Sequence, residues 1–327
     1  MAFILILELT SAAHTSLVGN TALVAYTIGE AIVTFSAYLT LDWQKLKWVN
    51  IIFIGSVLPY LYFMPETPLY LYSKRQYTEL ETVLRRIATQ NKRTEVQWYP
   101  SYQKFLGNQS ITDVNNETKS SFFKQFRQLF SHRPTIIKVL ITDFLGFTTY
   151  LLYYEISYGF EVMNISPYLG VVIGAVVEAV GYISGSFLIV SRLGRKGTFI
   201  IMMGLTAVCV LILPFVVKVG ALPTVIVAQL GKFAISGAIS VSWIFVPELF
   251  QTSIRSTANG LFITFSHIGA IIAPVISTSV SEKYLSVTFY VSSALGVVAL
   301  LLTMILPETR GKTMDDEQDS SNIGTHT

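Results

Sequence analysis

Long apolar runs, each broken by only a few polar residues, recur along this chain and are joined mostly by short polar connections. The hydrocarbon core of a bilayer is about 30 Å thick, and about 20 helical residues cross it while satisfying their own backbone hydrogen bonds. On that measure the pattern predicts eight spans, at about 18–41, 48–64, 136–158, 168–190, 198–217, 222–246, 258–281 and 285–306. The opening MAFILILELT is apolar but too short to cross. It lacks the basic leader of a signal peptide, although Ser11, Ala12 and Ala13 weakly imitate a cleavage site. Residues 65–135 differ in kind: eleven Lys and Arg stand there against six acids, and ELETVLRRIA has the spacing of a short amphipathic helix on a membrane surface. A basic loop tied to membrane at both ends has its explanation in the membrane, so no nucleic-acid partner is expected.

Composition narrows the class. The chain has 327 residues, 52% hydrophobic and 13% charged, with a mean hydropathy of +0.54. A soluble globule needs a more polar skin than that. The expected fold class is therefore all-α and polytopic. The net charge of +3 is small, and its placement carries the information. Basic residues mark 65–135, 191–197, 251–257 and the tail after 306. The other connections are nearly neutral: Asp42 offsets one of Lys45 and Lys47, Glu161 and Lys218 stand alone, and Glu282 sits beside Lys283. By the positive-inside bias, both ends of the span set face the cytoplasm. The glycosylation sequons at Asn108 and Asn116 would then be idle. One cysteine, Cys209, excludes an internal disulfide framework and reads as a packing residue. Histidines at 14, 132, 267 and 323 have no metal-ligand spacing, and no glycine-rich loop with a following Lys cradles phosphate. Neither metal, cofactor nor enzymatic activity is expected.

Self-comparison finds a parallel repeat. ELTSAAHTSLVGN from Glu8 resembles ELFQTSIRSTANG from Glu248, and MPETP around Glu66 resembles LPETR around Glu308. Both pairs share nearly one register and enclose two spans each, the signature of a membrane protein built from two similar helical halves around a central cavity. Three further spans precede the later copy, so on this register roughly a hundred residues are expected before the earlier one.

These motifs carry a family likeness. SRLGRKG (191–197) resembles the Asp-Arg-x-Gly-Arg-Arg/Lys loop of the major facilitator superfamily, and MPETPLYLYSKRQY resembles its Pro-Glu-Ser-Pro-Arg-Trp-Leu stretch after span six. LGKFAISGAISVSWIFVPELFQTSIRSTANG and LPETRGK are most similar to the organic cation/carnitine/organic anion transporter branch. The resemblance implies the two-bundle facilitator fold, here with about eight full spans plus an N-terminal helix remnant, and spans one to three missing. It implies a remnant N-terminal bundle over 1–64, a cytoplasmic linker over 65–135, a six-helix C-terminal bundle over 136–306 and a disordered cytoplasmic tail over 307–327. Three positions depart from the pattern: Ser191 replaces the loop's Asp, Leu69 and Tyr70 replace Arg-Trp, and Thr15 stands where a counterpart of Arg255 is expected.

Candidate site residues fall into two sets. At the predicted cytoplasmic helix ends, Arg192, Arg195, Lys196 and Arg255 can pair with Glu66, Glu248 and Glu308 as a gate, or can serve orientation alone. Inside spans, where an ionised group costs on the order of 3 kcal/mol, stand Asp143, Glu155, Glu178, Lys232 and His267, all expected to face the bundle interior. Glu155, flanked by Tyr153, Tyr154 and Tyr158, can hold an organic ammonium ion or lie solvated at the outer mouth. Glu178 serves substrate or coupling, or pairs structurally with Lys232. His267 sits where the resemblance places the residue that votes on substrate charge, and a packing role competes with substrate contact there. Pro274, seven residues on, can bend that helix. Trp243 is the leading aromatic contact, with an interfacial anchor as the alternative.

The resulting expectation is a secondary transporter of small organic ions, organic cations or zwitterions favoured, resident in the plasma membrane and working by alternating access. The alternative is a non-transporting membrane protein that associates with full-length relatives.

Overall fold

A computed structural model describes residues 10, 15–63, 66, 68–73, 76–112, 126–127, 129–158, 167–250, 252–280 and 285–309, and all regular structure among them is helical. Several expectations fall on other positions: the short apolar opening 1–9 with Glu8, the sequon at Asn116, Glu161, the Glu282–Lys283 pair and the tail from 310 lie outside the described residues. The sequon at Asn108 falls within a helix, Glu95–Thr112.

The chain divides into two compact units, Met1–Gly19 with Gln44–Ser121 and Asn20–Trp43 with Phe122–Thr327. Helix α1, Thr15–Thr40, supplies most of its length to the second unit, whereas α2, Trp43–Phe63, belongs to the first.

The first unit continues with α3 (Pro68–Ser73), α4 (Tyr77–Gln90) and α5 (Glu95–Thr112). The expected amphipathic helix is α4, whose Leu80 joins Leu71 and Tyr102 in a small core edged by Trp98 and Tyr99. Tyr102 donates its hydroxyl to the Tyr77 carbonyl at 3.2 Å. Arg85 on the outer face of α4 pairs with Glu81 at 3.3 Å and with Glu95.

The second unit holds α6 (Arg133–Tyr158), α7 (Pro167–Val190), α8 (Gly194–Val216), α9 (Ala221–Glu248), α10 (Thr252–Ser279) and α11 (Leu285–Ile305). Helix α6 lies along α10, α9 packs against α7 and α8, and α8 packs against α11. Small residues set these seams, as they do where lipid removes the hydrophobic drive and helices must gain by close contact. A Cβ on Gly181 would stand 2.6 Å from the Phe233 carbonyl oxygen, and one on Gly269 would overlap the Phe147 carbonyl. Helix α9 runs through the middle, with Ala234, Ile235, Ser236, Ala238, Ser240 and Val241 almost wholly enclosed.

Seven of the eight expected spans coincide with helices long and apolar enough to cross a membrane: Val18–Thr40, Arg133–Ser157, Tyr168–Val190, Gly194–Val216, Ala221–Glu248, Ile254–Ser279 and Ser286–Ile305. The eighth, expected at 48–64, falls on the helix α2, Trp43–Phe63. The outward faces are apolar, with Leu169, Val176, Phe187, Ile226, Ile271 and Leu301 exposed. Water would tolerate no such continuous surface, whereas acyl chains match it.

Candidate functional site

A helix that is apolar all round buries a charge only where another helix supplies its partner. In the second unit three helices do so at one point. Lys232 of α9, 1% exposed, places its Nζ 3.4 Å from Glu178 Oε2 of α7 and 3.8 Å from Glu30 Oε1 of α1. Glu178 is wholly buried and accepts two further hydrogen bonds, from the hydroxyls of Tyr153 at 2.9 Å and Tyr182 at 2.5 Å. Tyr182 lies one helical turn beyond Glu178, which puts both on one face of α7. The Lys232 ammonium also sits 5.4 Å from the centre of the Tyr153 ring, within cation–π range. Gly174, one turn before Glu178, makes room for it, because a Cβ there would stand 3.0 Å from Nζ.

Two carboxylates against one ammonium leave this cluster one negative charge in surplus. Of the two acids Glu30 is the less enclosed, its side chain 24% exposed, and its Oε2 has no hydrogen-bond partner. Tyr26, one turn before Glu30, is 58% exposed and lies within electrostatic reach of Glu30, Glu178, Tyr150 and Tyr154. The cluster thus has a closed floor at Glu178 and a more open side toward α1.

An aromatic group stands on α6, α9 and α10. Trp243 Nε1 donates to the Tyr150 hydroxyl at 3.2 Å, and the Tyr150 ring stacks on His267 with centroids 6.3 Å apart. Tyr153 and Tyr154 meet edge to face at 5.1 Å.

The intramembrane charges expected to face inward divide. Asp143, Glu155, Glu178 and Lys232 are buried, whereas His267 is exposed, which corrects the expectation for that residue. Its Nδ1 is bonded to the Ile263 carbonyl one turn back at 2.7 Å. The inward face of α10 is carried instead by Phe262, Ser266 and Ala273. Glu155 is not part of the cluster around Lys232. Lying about 200° around α6 from Tyr153, it turns to α11, where Thr288 and Ser292 stand against its carboxylate.

At the end of this unit where α8 begins, SRLGRKG joins three helix ends. Ser191 donates to the Leu188 carbonyl at 2.6 Å and accepts from the Leu193 amide at 3.3 Å, turning the chain out of α7. Gly194 follows with φ +69°, and a Cβ there would stand 2.9 Å from the Glu308 carboxylate, so glycine is required twice over. That carboxylate, just beyond α11, accepts from the backbone amides of Arg195 and Lys196 at 3.1 Å each. It holds the positive end of the α8 dipole where the amides have no intrahelical acceptor. Arg195 Nε lies 2.6 Å from Glu248 Oε2 at the end of α9, and Thr309 donates to the same oxygen at 2.8 Å. Lys196 Nζ donates to the Met304 and Leu306 carbonyls at 2.7 Å, capping α11.

Of the proposed gate pairs, then, Arg195–Glu248 forms and Glu308 meets backbone amides. Arg255 donates to the Phe250 carbonyl instead of a carboxylate, at 3.2 and 3.3 Å. Arg192 is exposed, and Glu66, in the other unit, is exposed as well.

Glu30, Tyr26, Tyr150, Tyr182, Gly194 and Thr309 were not anticipated as site residues from the sequence. For Glu30 a signal existed, since it is a lone acid in the apolar run LVAYTIGEAIV. The tyrosines and Thr309 carry none, because nothing in their spacing sets them apart from packing residues.

Residues 10–319 match the family described as Sugar (and other) transporter. Among similar proteins is Solute carrier family 22 member 13 of Homo sapiens, 27% identical over 310 residues, which are 92% of this chain and 52% of that protein. Solute carrier family 22 member 15 of Xenopus tropicalis is 26% identical over 318 residues, 94% of this chain and 57% of that protein. The chain thus spans little more than half the length of these curated relatives. Among solved structures, the fold matches that of the major facilitator superfamily proton:xylose symporter XylE bound to 6-bromo-6-deoxy-D-glucose. That match has a TM-score of 0.70 at 19% identity, covering 98% of this chain and 70% of that one. The inward open conformation of XylE from E. coli matches with a TM-score of 0.67 at 16% identity, covering 98% and 68%. Seven apolar helices of spanning length together with the family match make this a multi-pass integral membrane protein.

Proposed function

This chain belongs to the sugar (and other) transporter family of the major facilitator superfamily, and on that premise we propose that it moves small organic cations or zwitterions across the plasma membrane by alternating access. The observation that carries the charge preference is the buried cluster of Glu30, Lys232 and Glu178. Its surplus negative charge attracts an ammonium or quaternary nitrogen, and in a low-dielectric surround that attraction is poorly screened. A zwitterion can add its carboxylate to Lys232 while its cationic end meets Glu30. Tyr150, Tyr153, Tyr154, Trp243 and His267 would then supply aromatic faces for the remainder of the substrate, the rings of Tyr153 and Trp243 serving cation–π contact best.

The α8-end network supports a role in the moving parts. Arg195, Lys196, Glu248 and Glu308 tie α8, α9 and α11 together, so these ends would travel as one piece when the bundle rocks. The basic residues beside it support a cytoplasmic position for this end by the positive-inside bias. Arg192, exposed in the same turn, would serve that orientation.

Uptake of radiolabelled carnitine, tetraethylammonium and an anionic dye into vesicles carrying the purified chain tests the proposal. Saturable entry of the first two, lost in Glu178→Gln, is expected. Saturable entry of the dye alone, or no carrier-dependent entry of any of the three, would overturn it.

A further inference from the structure

Glu155, like Asp143, is a buried acid that the cluster around Lys232 leaves unexplained, and it is the one with both carboxylate oxygens unmatched. It is 8% exposed, three residues before the end of α6, and neither carboxylate oxygen has an aligned hydrogen-bond partner. An ionised carboxylate is poorly held this way, because without a cation two nearby hydroxyls replace lost water incompletely. The neighbouring groups are hydroxyls: Ser292, 4% exposed, and Thr288, both on α11.

No cation faces it among the described residues. Helix α11 contains no Asp, Glu, Lys, Arg or His, and its Tyr290 packs on Phe215. On α9, Lys232 is held by Glu178 and Glu30, and Glu248 pairs with Arg195. On α10, Arg255 bonds Phe250 and His267 stacks on Tyr150. On α6 itself, Tyr153 is bonded to Glu178, and Asp143 lies twelve residues away, more than three turns along the helix. Cys209 of α8 faces the neighbouring Gly231 and Ile156 seam.

We infer that Glu155, seated between Thr288 and Ser292 on the α6–α11 seam, is a proton-binding site separate from the charge cluster around Lys232. The proton neutralises the carboxyl, and the resulting O–H has hydroxyl oxygens beside it to accept its hydrogen bond. The end of α6 lies one turn away. A lone carboxyl with two hydroxyls also offers fewer oxygens than a dehydrated sodium ion requires, since a helical backbone keeps its carbonyls for its own hydrogen bonds. The inference does not rest on the transport proposal.

Infrared difference spectra of the purified full chain in phosphatidylcholine vesicles test it. Expected is a protonated-carboxyl band that shifts in deuterium oxide, disappears in Glu155→Gln and survives in Asp143→Asn. Added sodium chloride at fixed pH should leave the band in place. Its loss on sodium addition would overturn the proton assignment in favour of a metal cation, and an unchanged band in a folded Glu155→Gln chain would overturn the site. If Glu155→Gln fails to fold, Thr288→Val combined with Ser292→Ala decides: a shift in the band and in its pH midpoint supports the site, and an unshifted band refutes it.

Discussion

Replacing Lys232 with Met keeps the volume of the long side chain and removes its charge. At 3.4 Å from Glu178 and 3.8 Å from Glu30, the ammonium gains about 5 and about 4 kcal/mol from the two carboxylates at an effective dielectric constant of about 20. The full sum is not lost, because Glu178 can take up a proton and Glu30, partly exposed, is partly screened. Breaking one side of a buried pair costs about 3–5 kcal/mol, and that is the loss expected for Lys232→Met. Adding Glu178→Gln removes the orphaned carboxylate while keeping acceptor and donor capacity for Tyr153 and Tyr182. The double variant should therefore be no less stable than Lys232→Met alone, which gives a coupling of about 2 kcal/mol or more. The assay is equilibrium unfolding of all four chains in mixed lipid and detergent micelles, followed by tryptophan fluorescence. Additivity of the two single effects within about 0.5 kcal/mol would refute the pairing, since independent sites add within that range.

Gly194→Ala should destabilise the second unit by about 2 kcal/mol, combining the left-handed backbone cost of about 1–2 kcal/mol with the approach of the new methyl to Glu308; an unfolding midpoint matching wild type would contradict it. Gly269→Ala should be costlier still, because the added Cβ meets the Phe147 carbonyl where α6 and α10 touch, and overpacking costs typically about 1–3 kcal/mol or more; thermal unfolding in detergent reads the loss. Arg85→Ala, by contrast, should change stability by less than about 1 kcal/mol, since its side chain is 52% exposed and surface ion pairs contribute little; a larger loss would show that α4 depends on that pair.

The short loop SRLGRKG illustrates how far the sequence could be read. Its charges and its likeness to a family loop marked a functional turn, and Arg195, Lys196, Glu248 and Glu308 do meet there. Which atoms they use was not legible. Glu308 bonds backbone amides that every sequence possesses, and Arg255 takes a carbonyl, so pairing opposite charges by eye predicted partners that the helix ends did not need. His267 makes the same point from within a span. Its own helix supplies the partner of Nδ1, and the residue stays on the exposed side.

What the sequence alone determined is the class: a helical, many-span membrane protein with a polar segment over 65–135. Hydrocarbon forces that outcome, because any stretch of about 20 apolar residues must close its backbone hydrogen bonds within itself. The tertiary structure decided which buried charges meet. In a helix apolar on every side, periodicity no longer distinguishes the face turned to neighbours from the face turned to lipid. The Glu178–Lys232 pair was one of two readings open in the sequence and it forms, but nothing along the chain could announce that Glu30 joins it while Glu155, two residues from Tyr153, turns to α11. Only the packing of α1, α6, α7, α9 and α11 settles that, through glycines that let helices touch and tyrosines that fill what remains.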